Sequence, residues 1–109
     1  MSLIDPLRDK KCAKEIYDII DAYGDEYSMN KKDSNGNNTL MYLITQCSTG
    51  KKHTNLSVLY VLRNLNRYQI NLNTVNNDGN TALSLAIKNR CEKRVIDLIN
   101  SCLQNNDHI

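Results

Sequence analysis

Apolar positions along the chain recur at helical spacing. In residues 40–47 they fall at steps of three and four, which places them on one side of a helix. The same spacing recurs in residues 83–87 and 95–102, and along residues 7–23. Residues 56–66 are apolar almost all round, which is typical of a helix enclosed by neighbours. The pattern therefore predicts an all-α chain.

Two of these segments carry further signals about their structure. Asp5-Pro6 suits the start of the first helix, and Gly24 suits its end. Residues 56–66 are also rich in residues that favour strands, so a strand remains the alternative there.

The chain contains an internal duplication. Residues 30–44 align with residues 73–87 at an offset of 43, with identical residues at Asn30/Asn73, Gly36/Gly79, Asn37/Asn80, Leu40/Leu83 and Ile44/Ile87. Asn35-Gly36 and Asp78-Gly79 reach positive φ at low cost, so each segment is predicted to form a tight, hairpin-like turn. A helix follows each turn, with Asn38 or Thr39, and Asn80 or Thr81, as candidate N-caps.

This order of turn, helix and second helix resembles the ankyrin repeat over roughly residues 14–103. Residues 76–86 (NNDGNTALSLA) are the best match to that family's Asp-x-x-Gly-x-Thr-Pro-Leu-His-x-Ala stretch. The chain departs from it at the proline and histidine positions, which hold Thr39, Ala82, Met41 and Ser84. Its repeat separation also exceeds the usual length of about 33 residues.

The resemblance implies a single ankyrin-like domain over residues 1–109, with about two and a half repeats. The surplus length is assigned to a loop inserted near residues 47–55. With so few units, the last helix must cap the stack or contact a further neighbour. The expected parts are an N-terminal helix or half repeat (6–29), a first repeat (30–72), a second repeat (73–103) and a polar tail (104–109).

Composition narrows the classes of function. The net charge is only +2, from 14 Lys+Arg and 12 Asp+Glu, which argues against a nucleic-acid partner. No apolar run approaches the 18 or so residues of a membrane span, and no secretory signal is evident. We therefore expect a soluble protein of the cytoplasm, with the nucleus as the alternative compartment.

The residues that carry chemistry are sparse. The four glycines are isolated, so no phosphate-binding loop is predicted. Cys47 and His53 could share a metal ion or form a nucleophile pair, but we interpret them as a core residue and a loop residue. The acidic residues Glu15, Asp18 and Asp21 are interpreted as a solvated helix face. We expect no enzymatic activity, cofactor or metal.

Ankyrin-like proteins mostly bind other proteins through the turn tips and the exposed side of the first helices. The resemblance therefore implies a protein-interaction module. An excess of asparagine (16 residues) is typical of AT-rich genomes and suggests a virus, a protist or a similar source. Together with this source, the resemblance implies a viral host-interaction protein that modulates immune signalling. The alternative is a self-associating scaffold or a fragment of a longer repeat protein, and a homodimer is left open. The partner-binding positions implied by the resemblance are Lys32, Ser34, Asn35, Asn37, Thr45, Gln46, Val75, Asn77, Asp78, Asn80, Lys88 and Asn89.

Overall fold

The computed structural model describes residues 13–47 and 52–106, and within these ranges it contains helices and turns but no strand. This confirms the all-α class, and the strand alternative for residues 56–66 is wrong. The described helices are α1 (Ala13–Tyr23), α2 (Glu26–Asn30), α3 (Thr39–Thr45), α4 (Lys52–Arg63), α5 (Leu65–Tyr68), α6 (Ala82–Lys88) and α7 (Lys93–Asn106).

The helices α3 and α6 are equivalent members of the duplication and begin at capped positions. The Asn38 side chain accepts a hydrogen bond from the Met41 amide at the start of α3. Thr81 accepts from the Ser84 amide at the start of α6, while the Ser84 hydroxyl accepts from the Thr81 amide. Each cap satisfies an amide that the first turn of a helix leaves without a partner.

Part of the segment that was predicted as an inserted loop is helical. The expected loop near residues 47–55 extends less far than predicted, because α4 already begins at Lys52. Residues 48–51 lie outside the described part of the chain. After α4 the chain adds the short helix α5, which ends at Gln69 with a left-handed backbone (φ 52°).

The helices pack in two layers. In one layer α3 packs against α6, and in the other layer α4 packs against α7. Within the first unit α3 packs on α4, and within the second unit α6 packs on α7. The helix α1 packs on α4, and α2 packs on α3, so the N-terminal segment covers one end of the stack. The core between the layers is almost entirely aliphatic, and Tyr68 is its largest fully buried side chain.

A cluster of tyrosines around Asp21 fastens α1 to the first unit. The Asp21 carboxylate accepts hydrogen bonds from the Tyr60 hydroxyl and, at 3.2 Å, from the Tyr68 hydroxyl. The Tyr60 ring also packs on Tyr17 of α1, with ring centroids 4.5 Å apart. Arg67 lies 3.6 Å from the same carboxylate, but both side chains are about half exposed, so this ion pair contributes little.

Gly24 is needed where α1 ends because Tyr68 approaches its backbone closely. A Cβ atom on Gly24 would lie 2.9 Å from the Tyr68 ring and 2.4 Å from the Ile20 carbonyl oxygen. The helix ends at Tyr23, as the sequence predicted. The glycine thus serves both the helix end and the packing of the buried tyrosine.

Asn30 makes a second connection to the segment that follows α5. Its side-chain amide donates to the Gln69 carbonyl at 2.8 Å, and its side-chain oxygen accepts from the Asn71 amide at 2.9 Å. Together with the tyrosine cluster, this bridge joins both short N-terminal helices to the far end of the first unit.

The tyrosine cluster predicts a stability loss at alkaline pH. The hydrogen bond to Asp21, together with burial, raises the pKa of Tyr60 above its usual range. Burial also raises the pKa of Tyr68. A raised folded-state pKa stabilises the fold below the unfolded-state value of about 10, and this contribution is lost as pH rises beyond it. We expect the urea midpoint to fall from about pH 9 upward, with delayed formation of tyrosinate by ultraviolet absorbance.

The Asp21→Asn variant tests this cause. Removing the carboxylate should bring the Tyr60 titration towards its ordinary range and flatten the alkaline loss of stability. Asp97→Asn removes an exposed carboxylate from α7 and serves as the control. An unchanged tyrosinate titration in Asp21→Asn would contradict the assignment.

Candidate functional site

The turn at residues 33–37, called turn 1, is built by the side chain of Asp33. Its Oδ1 accepts hydrogen bonds from the Asn35 amide at 2.9 Å and the Asn37 amide at 3.0 Å. Backbone bonds also join the Gly36 amide to the Asp33 carbonyl and the Asp33 amide to the Asn37 carbonyl. Gly36 takes φ +83°, a conformation that favours glycine.

The turn at residues 76–80, called turn 2, repeats this bonding with Asn76 in place of Asp33. The Asn76 Oδ1 accepts from the Asp78 amide at 3.0 Å and the Asn80 amide at 2.9 Å. The two backbone bonds recur, and Gly79 takes φ +81°. The two turns are therefore conformational copies.

Turn 2 lies directly against turn 1 and bonds to it three times. The Asn77 amide donates to the Asn35 carbonyl at 3.0 Å, and the Asn77 side chain donates to the Ser34 carbonyl at 2.8 Å. The third bond, from the Asn76 side-chain amide to the Asn37 Oδ1 at 2.9 Å, is buried. The turns are thus stacked side by side in register.

The stacking also joins the helix ends of the two units. The carbonyl of Ile44, near the end of α3, accepts from the Asn89 side chain at 3.2 Å. The Asn55 Oδ1 accepts from the Cys47 thiol at 2.8 Å and from the Glu92 amide at 3.2 Å. Asn55 is fully buried, so one side chain satisfies polar groups from both units.

The predicted binding positions divide by exposure. Six are exposed along the two turns or just before them in the chain, and two more are exposed at the ends of α3 and α6. Thr45, Asn80 and Asn89 are half-buried, and Asn37 is buried at 5% exposure. The exposed positions are Lys32, Ser34, Asn35, Gln46, Val75, Asn77, Asp78 and Lys88.

Some of these side chains are used within the protein. Asn37 cannot reach a partner as expected, because its side chain receives the Asn76 amide inside the stack. Asn77 is exposed but donates to Ser34, and Asn89 donates to Ile44. The Lys32 ammonium lies 3.4 Å from the Val75 carbonyl. The surface open to a partner is therefore narrower, centred on Ser34, Asn35, Gln46, Asp78 and Lys88.

Sequence reasoning missed Asn76 as the organising residue of turn 2. Its signal is an acceptor side chain three positions before each turn glycine, which Asp33 and Asn76 share. Asparagine differs from aspartate in that it can also donate a hydrogen bond, and this donor reaches Asn37.

The residues considered for chemistry have structural contacts. Cys47 is buried, and the neighbouring Cys91 thiol, together with this burial, raises the pKa of the Cys47 thiol. His53 lies in the first turn of α4 instead of a loop. Asp21 belongs to the tyrosine cluster. Among residues 13–47 and 52–106, no three potential ligands gather to hold a metal ion.

A groove of about 580 Å³ lies away from the turns, between the α4–α5 segment and α7. Its lining mixes apolar side chains with the polar groups of Arg63, Asn66 and Gln69. None of its lining residues was predicted as a binding position. The apolar lining residues are Leu62, Leu65, Ile70 and Cys102.

Comparisons with family models, with curated proteins and with solved structures found no match to this chain. In the part of the chain that the structure describes, no helix combines the length and apolar character needed to cross a bilayer.

The two turn glycines give a matched test of the stacking. Both have positive φ, so an alanine at either position should cost about 1 kcal/mol in backbone strain. A Cβ at Gly36 would also lie 2.8 Å from the Asn77 backbone nitrogen, whereas nothing lies within 4 Å of one at Gly79. We expect urea unfolding to show Gly36→Ala to be less stable than Gly79→Ala by about 1–3 kcal/mol. Equal losses would contradict the stacking.

The buried amide of Asn76 gives a second matched test. Asn76→Asp keeps the acceptor of turn 2 but places a carboxylate against the Asn37 Oδ1, so we expect a loss of about 1–3 kcal/mol at pH 7. Asp33→Asn keeps every bond of turn 1 and should change stability little. Relative to the wild type, the Asn76→Asp loss should shrink near pH 3, because a protonated carboxyl can donate. A pH-independent loss would exclude this donor role.

Proposed function

We propose that the chain is a divergent ankyrin-type protein-interaction module. Its binding surface comprises the tips of both turns and the exposed ends of α3 and α6. One observation carries the proposal: the two turns stack in register, which fixes the exposed tip side chains relative to each other before a partner arrives. A prearranged surface loses less entropy on binding than a flexible one.

The exposed side chains of this binding surface favour a partner protein whose contacting surface is polar. Ser34, Asn35 and Asp78 offer hydrogen-bonding groups at the tips, and Gln46 and Lys88 offer them at the helix ends. Val75, at 48% exposure, is the main exposed apolar contact near the turns. The combination favours a wet, hydrogen-bonded interface in which single residues contribute modestly.

We expect the partner to be a protein and not a nucleic acid. Lys32 and Asp78 give the turn region charges of opposite sign. The described surface shows no basic stripe with interleaved aromatic side chains. If the chain is viral, as its asparagine content suggests, the partner is a protein of the host cell.

Photo-crosslinking tests this function. A photoreactive amino acid at Asn35 or Asp78 should capture the same protein from cells, whereas one at the exposed Asn100 of α7 should not. The captured protein should then bind the purified chain, and charge-changing Asn35→Arg and Asp78→Arg variants should weaken that binding about tenfold or more. Asn100→Arg is the control, and circular dichroism checks folding.

Capture that is equally efficient from Asn100, or binding that survives both tip variants, would move the binding site away from the turns. Asn77 is not used as a tip variant because its amide and side chain both hold the two turns together.

A further inference from the structure

Equivalent side chains of the two units differ sharply in exposure. Leu40 and Ile44 of α3 are fully buried, at 0% exposure each. Their equivalents in α6 are also leucine and isoleucine, but Leu83 is half-buried and Ile87 is 58% exposed. Because the residue types are identical, the difference comes from what covers them: the second unit covers the first, and no described residue covers the second in the same way.

The turns show the same asymmetry. Gly36 is buried and faces Asn77, whereas Gly79 is exposed and has open space where a Cβ would lie. Asn37 is buried, whereas Asn80 is half-buried. We call the surface formed by Gly79, Asn80, Leu83 and Ile87 the open face. It is the counterpart of the surface on which the first unit receives the second.

The hydrogen bonds across the existing interface are directional. The first unit supplies acceptors, which are the carbonyls of Ser34, Asn35 and Ile44 and the Oδ1 of Asn37. The second unit supplies donors from Asn76, Asn77 and Asn89.

The exception is Lys32, which donates from the first unit, and its counterpart Val75 has no side-chain donor. By the same equivalence, the open face presents the backbone carbonyls of Asn77, Asp78 and Ile87 beside the exposed Ile87 side chain. The Asn80 Oδ1 differs from that of Asn37, because it already accepts from the Ser84 hydroxyl.

This direction decides between occupants. Two copies of the chain that met open face to open face would oppose these backbone carbonyls to one another, which leaves those acceptors unpaired. The donor face that fits is the inner side of a second unit, and within this chain that side is already occupied by the first unit.

We propose that the open face binds a helical-hairpin unit of this same pattern, supplied by a partner protein. The unit would lead with an Asn-Asn-x-Gly turn, as turn 2 does, and its helices would cover Leu83 and Ile87. The open face adjoins turn 2, but it uses the outer side of that turn and Ile87 and not the tip side chains of Ser34, Asn35 and Asp78. Its test is therefore independent of crosslinking from those tips.

The experiment extends the full chain. A second copy of residues 73–106 is joined after Ile109 to serve as the probe unit. If the open face accepts it, the extended chain should unfold in one transition at a higher urea midpoint. The amides of the original α6 should exchange about tenfold more slowly, or slower still, than in the 109-residue chain.

The substitution Ile87→Glu supplies the decisive comparison. It should shift the urea midpoint little in the 109-residue chain, where Ile87 is exposed, and strongly in the extended chain, where the added unit covers it. The same substitution at the equivalent isoleucine of the added copy should have a small effect and serves as the matched control.

Two outcomes would overturn the proposal. Equal effects of Ile87→Glu in both chains would show that the added unit does not cover the open face. Concentration-dependent dimerisation of the 109-residue chain that Ile87→Glu abolishes, measured by sedimentation, would assign the face to a second copy. Neither result changes crosslinking from the turn tips.

Discussion

The buried hydrogen bond between Asn76 and Asn37 is the contact on which the arrangement of the two units depends. The Asn76 side-chain oxygen closes turn 2 on itself, and its amide group reaches turn 1. A buried amide that lost its partner would cost about 1–3 kcal/mol, so a shift of one unit against the other is unfavourable. Among the described residues, every buried side-chain polar atom has a hydrogen-bond partner. The register of the turns then sets the register of α3 against α6.

The sequence was sufficient to predict the features that follow from local chemistry. The duplication, the turn glycines and the helix caps depend on short-range geometry, and the structure has them where Gly36, Gly79, Asn38 and Thr81 predicted them. The helix over residues 56–66 was predicted against a strand because its apolar residues surround the segment. The start of α4 at Lys52 was not predicted, since four polar residues precede its apolar run.

The hydrogen bonds that each polar side chain makes could not be predicted from the sequence. Asn35, Asn37, Asn76 and Asn77 are the same residue type within two turns, yet one forms the tip and the others bond across the stack or within it. The exposure of each side chain could not be predicted either. Ile44 and Ile87 are the same residue type and differ only in whether a following unit covers them. Such distinctions arise from tertiary contacts between residues about 40 positions apart.

The segment that follows α4 in the first unit has a consequence for the N-terminal helices α1 and α2. The first unit includes α5, which carries Tyr68 and Arg67 back to Asp21, and Gln69, whose carbonyl accepts a hydrogen bond from Asn30. This segment therefore reaches back towards the N-terminal helices and holds α1 against the first unit. Removing this segment would release α1 from the first unit and expose the aliphatic core beneath that helix.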